Sequence, residues 1–248
     1  MTTTSSTSDV IKTTGLRKSF GEQVVLKDIS FSLREKENLV VLGKSGSGKS
    51  VLIKCIVRLL VPDSGQIEVF GNDITSLDSE ALNAMRKRIG FLFQSAALYD
   101  SMSVRQNLEF PLRRVKKMKD RKLITQKVEE VLLNVNLEDA IDKMPSQLSG
   151  GMKKRIGLAR TLIMDPEIIL YDEPTTGLDP ISSIEICELI NEIQKKYKSA
   201  SIIITHDHNV VKITSTRLLM LREGVIHAEG KYEELKNSDD KWVQSFLN

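Results

Sequence analysis

The sequence predicts an α/β fold with a mainly parallel core sheet. Four apolar runs are continuous rather than alternating, as expected for strands buried on both faces of a parallel sheet: residues 39–42, 89–93, 168–171 and 201–205. Between them, residues 51–60 and 182–197 repeat apolar side chains at helical spacing. Strands that alternate with helices in this way are typical of an α/β core.

Two regions depart from this alternation. Residues 10–33 and 65–74 carry short β-like segments separated by turn residues, which predicts an antiparallel β layer attached to the core. Residues 94–165 show no strand pattern and are highly charged, so we expect a helical insertion subdomain there.

The polar, low-complexity residues 1–9 are interpreted as a disordered lead. Residues 10–248 are then expected to form one domain. The core and β layer occupy about 10–93 and 166–230, the helical subdomain about 94–165, and a C-terminal tail residues 231–248.

Composition narrows the class of protein. With 40% hydrophobic and 28% charged residues the chain reads as a soluble globular protein, and no apolar run approaches the roughly 18 residues of a membrane-spanning helix. Cys55 and Cys187 match neither a metal nor a redox motif, which indicates packing thiols in a cytosolic protein. The net charge of +3 is too small to indicate a nucleic-acid partner.

Positive charge is nevertheless concentrated between residues 113 and 122, where seven basic side chains are opposed only by Asp120. A solvated helix face is the favoured interpretation of such a run. The alternative is contact with the anionic cytoplasmic leaflet of a membrane.

A phosphate loop follows the first predicted core strand and precedes a helix. It fits the pattern G-x-x-x-x-G-K-[ST], in the order Gly43, Lys44, Ser45, Gly46, Ser47, Gly48, Lys49 and Ser50, followed by Val51. Glycines let backbone N–H groups turn towards phosphates, and the start of the helix adds its positive dipole end. We expect Lys49 to reach the terminal phosphates of a nucleotide and Ser50 to face Mg²⁺.

Asp172 and Glu173 end the predicted strand at residues 168–171. A carboxylate that leaves a buried strand beside a phosphate loop can hold Mg²⁺ through water, and the next one can orient and deprotonate a water. We therefore assign Asp172 to the metal and Glu173 to the general base. The alternative, that the pair only caps the following turn, is disfavoured beside Lys49.

A second anion site is predicted at Ser149, Gly150 and Gly151, which open a basic helix and leave its N-terminal amides bare. One nucleotide has no use for two γ-phosphate sites in the same chain. The run of residues 148–155, Leu-Ser-Gly-Gly-Met-Lys-Lys-Arg, resembles the signature turn of the ATPase subunits of ATP-binding cassette (ABC) proteins. In that family the turn covers ATP held by a partner subunit, so the resemblance implies a dimer of two copies.

The resemblance assigns four further residues. Phe20 stands where the family has an aromatic that stacks on adenine, although an ordinary core phenylalanine fits equally. Gln94 resembles the glutamine that touches Mg²⁺ and the attacking water. Asp179 resembles an aspartate that crosses the dimer interface, and Asp179-Pro180 also fits a helix N-cap. His206 resembles the histidine that contacts the γ-phosphate and positions the water.

Met152 departs from the commonest signature, which has glutamine there. With the runs 93–104, 144–155 and 243–247 it is similar to the ATPases that serve lipid transporters with mammalian-cell-entry (MCE) domains. That resemblance implies two permease subunits, an MCE-domain lipid-binding protein, and a peripheral location on the cytoplasmic face of the inner membrane. The alternatives are an importer of a small polar solute, a soluble ABC ATPase of iron–sulfur cluster assembly, and a nucleotide-binding switch without turnover.

Overall fold

One sheet organises the protein. The structure, a computed structural model, describes residues 8–247. In that part of the chain ten strands form the sheet: β1 (Asp9–Phe20), β2 (Gln23–Arg34), β3 (Asn38–Leu42), β4 (Ser64–Val69), β5 (Asn72–Asp73), β6 (Ile89–Leu92), β7 (Ile168–Asp172), β8 (Ala200–Thr205), β9 (Arg217–Arg222) and β10 (Val225–Gly230). Their order across the sheet is β5-β4-β1-β2-β10-β9-β3-β8-β7-β6.

Helices cover this sheet on both sides. Within residues 8–247 they are α1 (Lys49–Ile56), α2 (Ser79–Arg86), α3 (Val104–Arg114), α4 (Arg121–Leu133), α5 (Gly150–Leu162), α6 (Pro180–Tyr197), α7 (His208–Thr214), α8 (Tyr232–Lys236) and α9 (Lys241–Leu247). None of these helices has the length and hydropathy needed to cross a membrane.

The parallel core lies where the four apolar runs predicted it. β3 pairs with β8 and β9, β8 with β7, and β7 with β6, all in parallel. Every residue of β3, β7 and β8 is buried, because one hydrophobic cluster packs on each face of the sheet. The predicted α/β fold with a mainly parallel core is therefore confirmed.

The predicted antiparallel layer is continuous with this core. β1 pairs with β2 and β4, and β4 with β5, all antiparallel. β10 then joins β2 through the pair Val225 and Asp28, next to a hydrogen bond from Lys27 N to Gly224 O of 2.9 Å. A Cβ on Gly224 would lie 2.5 Å from Val25 O, so only glycine permits this close approach.

The sequence did not predict β9, β10 or α2. β9 reads Arg-Leu-Leu-Met-Leu-Arg, a run of helix-forming side chains without a β-branched residue, and pairing between β3 and β10 overrides that preference. The predicted lead, residues 1–9, also needs one correction. β1 begins at Asp9, because Asp9 pairs with Arg34. Residues 1–7 lie outside the described residues.

Residues 94–165 contain helices and two 3₁₀ turns and, as described, no strand. α3, α4 and α5 share one buried cluster with α6. The division into a core and a separate subdomain stays a prediction. The basic side chains from Arg113 to Lys122 are exposed, and Lys116 pairs with Asp165 at 2.6 Å.

Arg217 fastens β9 to the turn before β3. Its guanidinium binds both carboxylate oxygens of the buried Glu37, at 2.7 and 2.9 Å, and donates to Ser32 O. Arg217→Met should lower the free energy of unfolding by about 3–5 kcal/mol, because Glu37 would stay buried without its partner. Urea unfolding measures this, with Arg222→Met on the same strand as control. A loss under about 1 kcal/mol for Arg217→Met would contradict the expected role.

Candidate functional site

The phosphate loop joins β3 to α1 as predicted and folds around the Lys49 side chain. Lys49 Nζ donates to Gly43 O at 2.7 Å and to Lys44 O at 3.1 Å. Gly48 is the helix N-cap with φ +104°, and a Cβ there would lie 2.8 Å from a Leu26 methyl group. The loop therefore depends on glycine at this position.

The loop has the chemistry of an anion site. Lys49 is only 5% exposed, and burial lowers the pKa of its ammonium against the opposing charges of Glu173 and Asp172. Ser47 Oγ is buried and has no hydrogen-bond partner among the described residues. A buried cation, an unpaired hydroxyl and the bare start of α1 fit the phosphates of a nucleotide.

Ser50 and Asp172 meet at the predicted metal position. Ser50 Oγ donates to Asp172 Oδ1 at 3.1 Å. Burial raises the pKa of the Asp172 carboxyl, against the hydrogen bond from Ser50 and the charges of Lys54 and Lys49. A hydroxyl beside a carboxylate fits Mg²⁺, which prefers few protein oxygens and takes its other ligands from phosphates and water. Residues 8–247 hold no group of three or more His, Cys, Asp or Glu side chains that could hold a metal ion.

The Glu173 carboxylate has three neighbours that can donate hydrogen bonds. Its Oε2 is 2.8 Å from His206 Nδ1 and accepts a bond from Thr176 Oγ1 at 3.3 Å, while Oε1 is 3.5 Å from Lys49 Nζ. The backbone of Glu173 has φ +50°, a conformation that is sterically unfavourable for any residue other than glycine. Strain of this kind is concentrated at functional sites.

One cavity of about 1190 Å³ brings most of the predicted residues together. Its walls include Phe20, Lys44, Ser45, Gly46, Gly48, Lys49, Ser50, Val51, Gln94, Glu173 and His206. Gly43, Ser47 and Asp172 belong to the same loop and strand ends but not to the cavity wall.

The signature residues lie elsewhere. Ser149, Gly150, Gly151 and Asp179 are absent from the cavity wall. Ser149 caps α5, where its Oγ accepts from Met152 N at 3.2 Å. Gly150 is exposed and Gly151 half-buried, so the first amides of α5 face outwards. The site that the phosphate loop offers is therefore not closed by this chain's own signature turn.

Asp179 has the N-cap geometry that the sequence allowed. Its Oδ1 accepts from Ile181 N and Ser182 N at 3.1 and 3.0 Å, and Oδ2 accepts from Ser182 Oγ at 2.6 Å. The bonds from Ser182 hold the pKa of the Asp179 carboxyl below its usual range. A role across a dimer interface stays a prediction for this residue.

Sequence reasoning missed two parts of the site. Ser245 and Phe246 in α9 line the cavity, with the Phe246 ring 5.9 Å from Lys44 Nζ. α9 is held there by Trp242, which packs against His227 and Phe246 with ring centroids 4.7 Å apart in each pair. Lys154 is the other, with its ammonium buried between two backbone carbonyls of the site.

The exposure of Phe20 bears on the two roles that the sequence left open, stacking on adenine and packing in the core. Its side chain is 46% exposed at the end of β1, so it is not an ordinary core residue. Phe20→Ala should weaken ATP binding about 2- to 10-fold, the range for one lost aromatic stack. The free energy of unfolding should hardly change. Isothermal titration and urea unfolding measure both, with the buried Phe31→Ala as the opposite case. Unchanged ATP affinity would reject stacking.

Comparison with known proteins finds similar sequences over most of the chain. The family model described as ABC transporter matches residues 26–176. The chain is 42% identical over 246 residues to Protein TRIGALACTOSYLDIACYLGLYCEROL 3 of Arabidopsis thaliana, covering 92% of this chain and 70% of that protein. It is 39% identical to the probable ribonucleotide transport ATP-binding protein mkl of Mycobacterium bovis, covering 96% and 66%. The methionine import ATP-binding protein MetN of Brucella abortus is 36% identical, covering 96% and 64%. The chain thus spans about two thirds of these relatives' lengths.

Solved structures agree on the fold. The structure of cbiO1 from Clostridium perfringens, described as part of the ABC transporter complex cbiONQ, superposes with a TM-score of 0.83 at 27% identity, covering 97% of this chain and 99% of that one. The ATP-binding cassette MJ0796, described as a dimer in a post-hydrolysis state bound to ADP and Pi, superposes with a TM-score of 0.79 at 30% identity, covering 89% and 98%.

Proposed function

The chain belongs to the ABC transporter family as an ATP-binding and ATP-hydrolysing subunit, and from this premise we propose that it powers phospholipid transport between two membranes. Its partners in this proposal are a second copy of itself, permease subunits and an MCE-domain lipid-binding protein. It then lies on the cytoplasmic face of the inner membrane, bound through the permease.

The observation that carries the lipid assignment is the signature turn with Met152, on a chain 42% identical to a relative named after a glycerolipid. The same comparison favours one second candidate. MetN, at 36% identity over nearly the whole chain, is named for methionine import, so an importer of a small solute is the alternative.

The residues in and next to the cavity have separate roles in the hydrolysis of ATP. Lys49 and the amides of the phosphate loop bind and orient the phosphates, while Ser50 and Asp172 would hold Mg²⁺, which neutralises charge on the phosphates when bound. Glu173 takes a proton from the attacking water. His206 holds the carboxylate from Oε2, and Lys49 faces Oε1. Gln94 lines the same cavity as Glu173 and would contact the attacking water and Mg²⁺ from there.

A second copy of the chain supplies what the cavity lacks. The outward-facing amides at the start of α5 form an anion site without an anion in the same chain. A nucleotide held between the phosphate loop of one copy and the signature turn of the other uses both sites. Two such nucleotides would join two chains, and hydrolysis of the nucleotides would let the chains separate.

A groove beside the loop after Gln94 is a suitable docking surface for a membrane partner. It has a volume of about 620 Å³ and lies between β6, α2, α3 and α5. Phe91 and Phe93 line it and stack with ring centroids 4.2 Å apart, and the basic side chains of Lys87, Arg114 and Lys117 also line it. None of the described residues that line it is acidic. These features fit a short amphipathic helix with acidic residues, as a permease could present.

Affinity capture from solubilised membranes tests the proposal. The tagged chain should bring down a permease and an MCE-domain protein, and mass spectrometry of the complex should identify bound phospholipid. A tagged Arg114→Glu, Lys117→Glu variant is the matched control, because it should lose the permease and keep ATP binding. Capture with a soluble solute-binding protein would favour the importer, and capture in a membrane-free assembly complex would reject transport.

A further inference from the structure

Lys154 lies at a junction of three segments that the assigned roles leave unexplained. It belongs to α5, one turn after the signature residues, and its side chain is only 5% exposed. Its ammonium donates to Gln94 O at 2.5 Å and to Glu173 O at 3.2 Å. One buried charge thus connects the signature helix, the loop after β6 and the strand end that carries Glu173.

The same face of α5 follows that loop for two more turns. Positions 154, 157 and 160 are three residues apart and therefore lie on one side of the helix. A Cβ on Gly157 would lie 2.9 Å from the Ala96 Cβ, so the loop rests directly on the helix backbone. The Arg160 guanidinium donates to Ala97 O and lies 4.8 Å from the Tyr99 ring centroid.

The loop held in this way is strained. Ala96 and Ala97 have φ of +62° and +49°, two consecutive left-handed residues that are not glycine. Each is sterically unfavourable, and such conformations persist only where the surroundings impose them. Glu173 is in the same region, with φ +50°. Lys154 holds a carbonyl at the start of the strained loop and the carbonyl of the strained Glu173.

This loop also forms part of the groove surface. Phe93, Ala96 and Ala97 line the groove described above, and so do Gly157 and Arg160 of α5. A helix that enters the groove therefore contacts the same loop whose first carbonyl, Gln94 O, accepts from the Lys154 ammonium. A shift of the loop would move Gln94 O. This oxygen accepts the shorter of the two hydrogen bonds that the Lys154 ammonium donates.

We propose that Lys154 is a positioning residue that couples the groove loop to the backbone of Glu173, so that partner binding in the groove sets the position of the general base. The proposal rests on the proposed function, because it needs Glu173 to act as the base. Beyond that function, it states that the Lys154 side chain connects the loop to Glu173. Burial lowers the pKa of the Lys154 ammonium, against the charges of the nearby Asp172 and Glu173.

The test uses Lys154→Met, which keeps most of the side-chain volume and removes all three donors. Lys195→Met is the control, because Lys195 is exposed on α6 and lines neither the cavity nor the groove. Both are measured in the membrane complex with its permease, with kcat and KM for ATP and separate ATP affinity. Lys154→Met should lower kcat at least about 10-fold, the size expected when charge-assisted hydrogen bonds are lost. ATP affinity should stay within about twofold, and Lys154→Gln, which keeps a donor, should recover part of kcat.

Hydrogen exchange supplies the second measurement and remains informative if Lys154→Met is poorly folded, because Lys154→Gln is then compared. Exchange should accelerate together in residues 94–98 and 172–176 and stay unchanged in β3 and β8. A kcat of Lys154→Met within threefold of the Lys195→Met control overturns the proposal, as does a uniform rise in exchange with lost ATP binding in Lys154→Gln. A wild-type complex without ATPase activity overturns the proposed function itself, which separates the two failures.

Discussion

Glu173→Gln should lower the turnover of ATP at least about 100-fold while ATP binding is retained, since general bases contribute this much or more. Glutamine keeps the shape of the side chain and its place near His206 and Lys49, but its amide cannot accept a proton from water. Because the change also removes a negative charge 3.5 Å from Lys49, affinity for the polyanionic nucleotide should not fall.

Steady-state phosphate release and equilibrium ATP titration measure the two effects on the same preparation. Glu188→Gln is the matched control, because Glu188 is exposed on α6 and outside the cavity. If Glu173→Gln turns over ATP as fast as Glu188→Gln, Glu173 is not the base. The alternative of a nucleotide-binding switch without turnover predicts instead that neither variant changes a rate already near zero.

Local motifs made most of this site predictable. Lys49 and Ser50 directly follow the glycines of the phosphate loop. Asp172 and Glu173 are neighbours at the end of a continuous apolar strand. His206 follows the adjacent strand, and strand ends of a parallel sheet meet at one edge. The positions of these residues in the sequence are therefore enough to predict which of their side chains lie close together.

Lys154 and Phe246 could not be found in this way. Lys153 and Lys154 look alike in a basic run, and only the rotation of α5 decides that the second faces inwards towards carbonyls 60 and 19 residues away. A backbone acceptor leaves no mark in the sequence. Phe246 reaches the phosphate loop because Trp242 packs against His227, a contact between tail and sheet that no local spacing indicates.

Gly151→Asp should abolish turnover without impairing ATP binding by the single chain. The new carboxylate would stand at the start of α5, where it complements the helix dipole and should not destabilise the fold. It would at the same time repel a phosphate approaching those amides. Gly151 is outside the cavity of its own chain, so affinity should stay within about twofold, whereas turnover should fall about 100-fold or more, as for a lost oxyanion donor.

The background of Glu173→Gln makes the effect on assembly visible, because ATP that is not hydrolysed continues to join two chains. With ATP the single variant should form a dimer, and the double variant with Gly151→Asp should bind ATP and remain monomeric in sedimentation velocity. Gly151→Ala is the control for size, since its Cβ would meet Ser182 at an ordinary contact distance of 3.5 Å. A dimer that survives Gly151→Asp would mean that the signature turn does not hold the partner's nucleotide. The outward-facing amides of α5 would then require another anion.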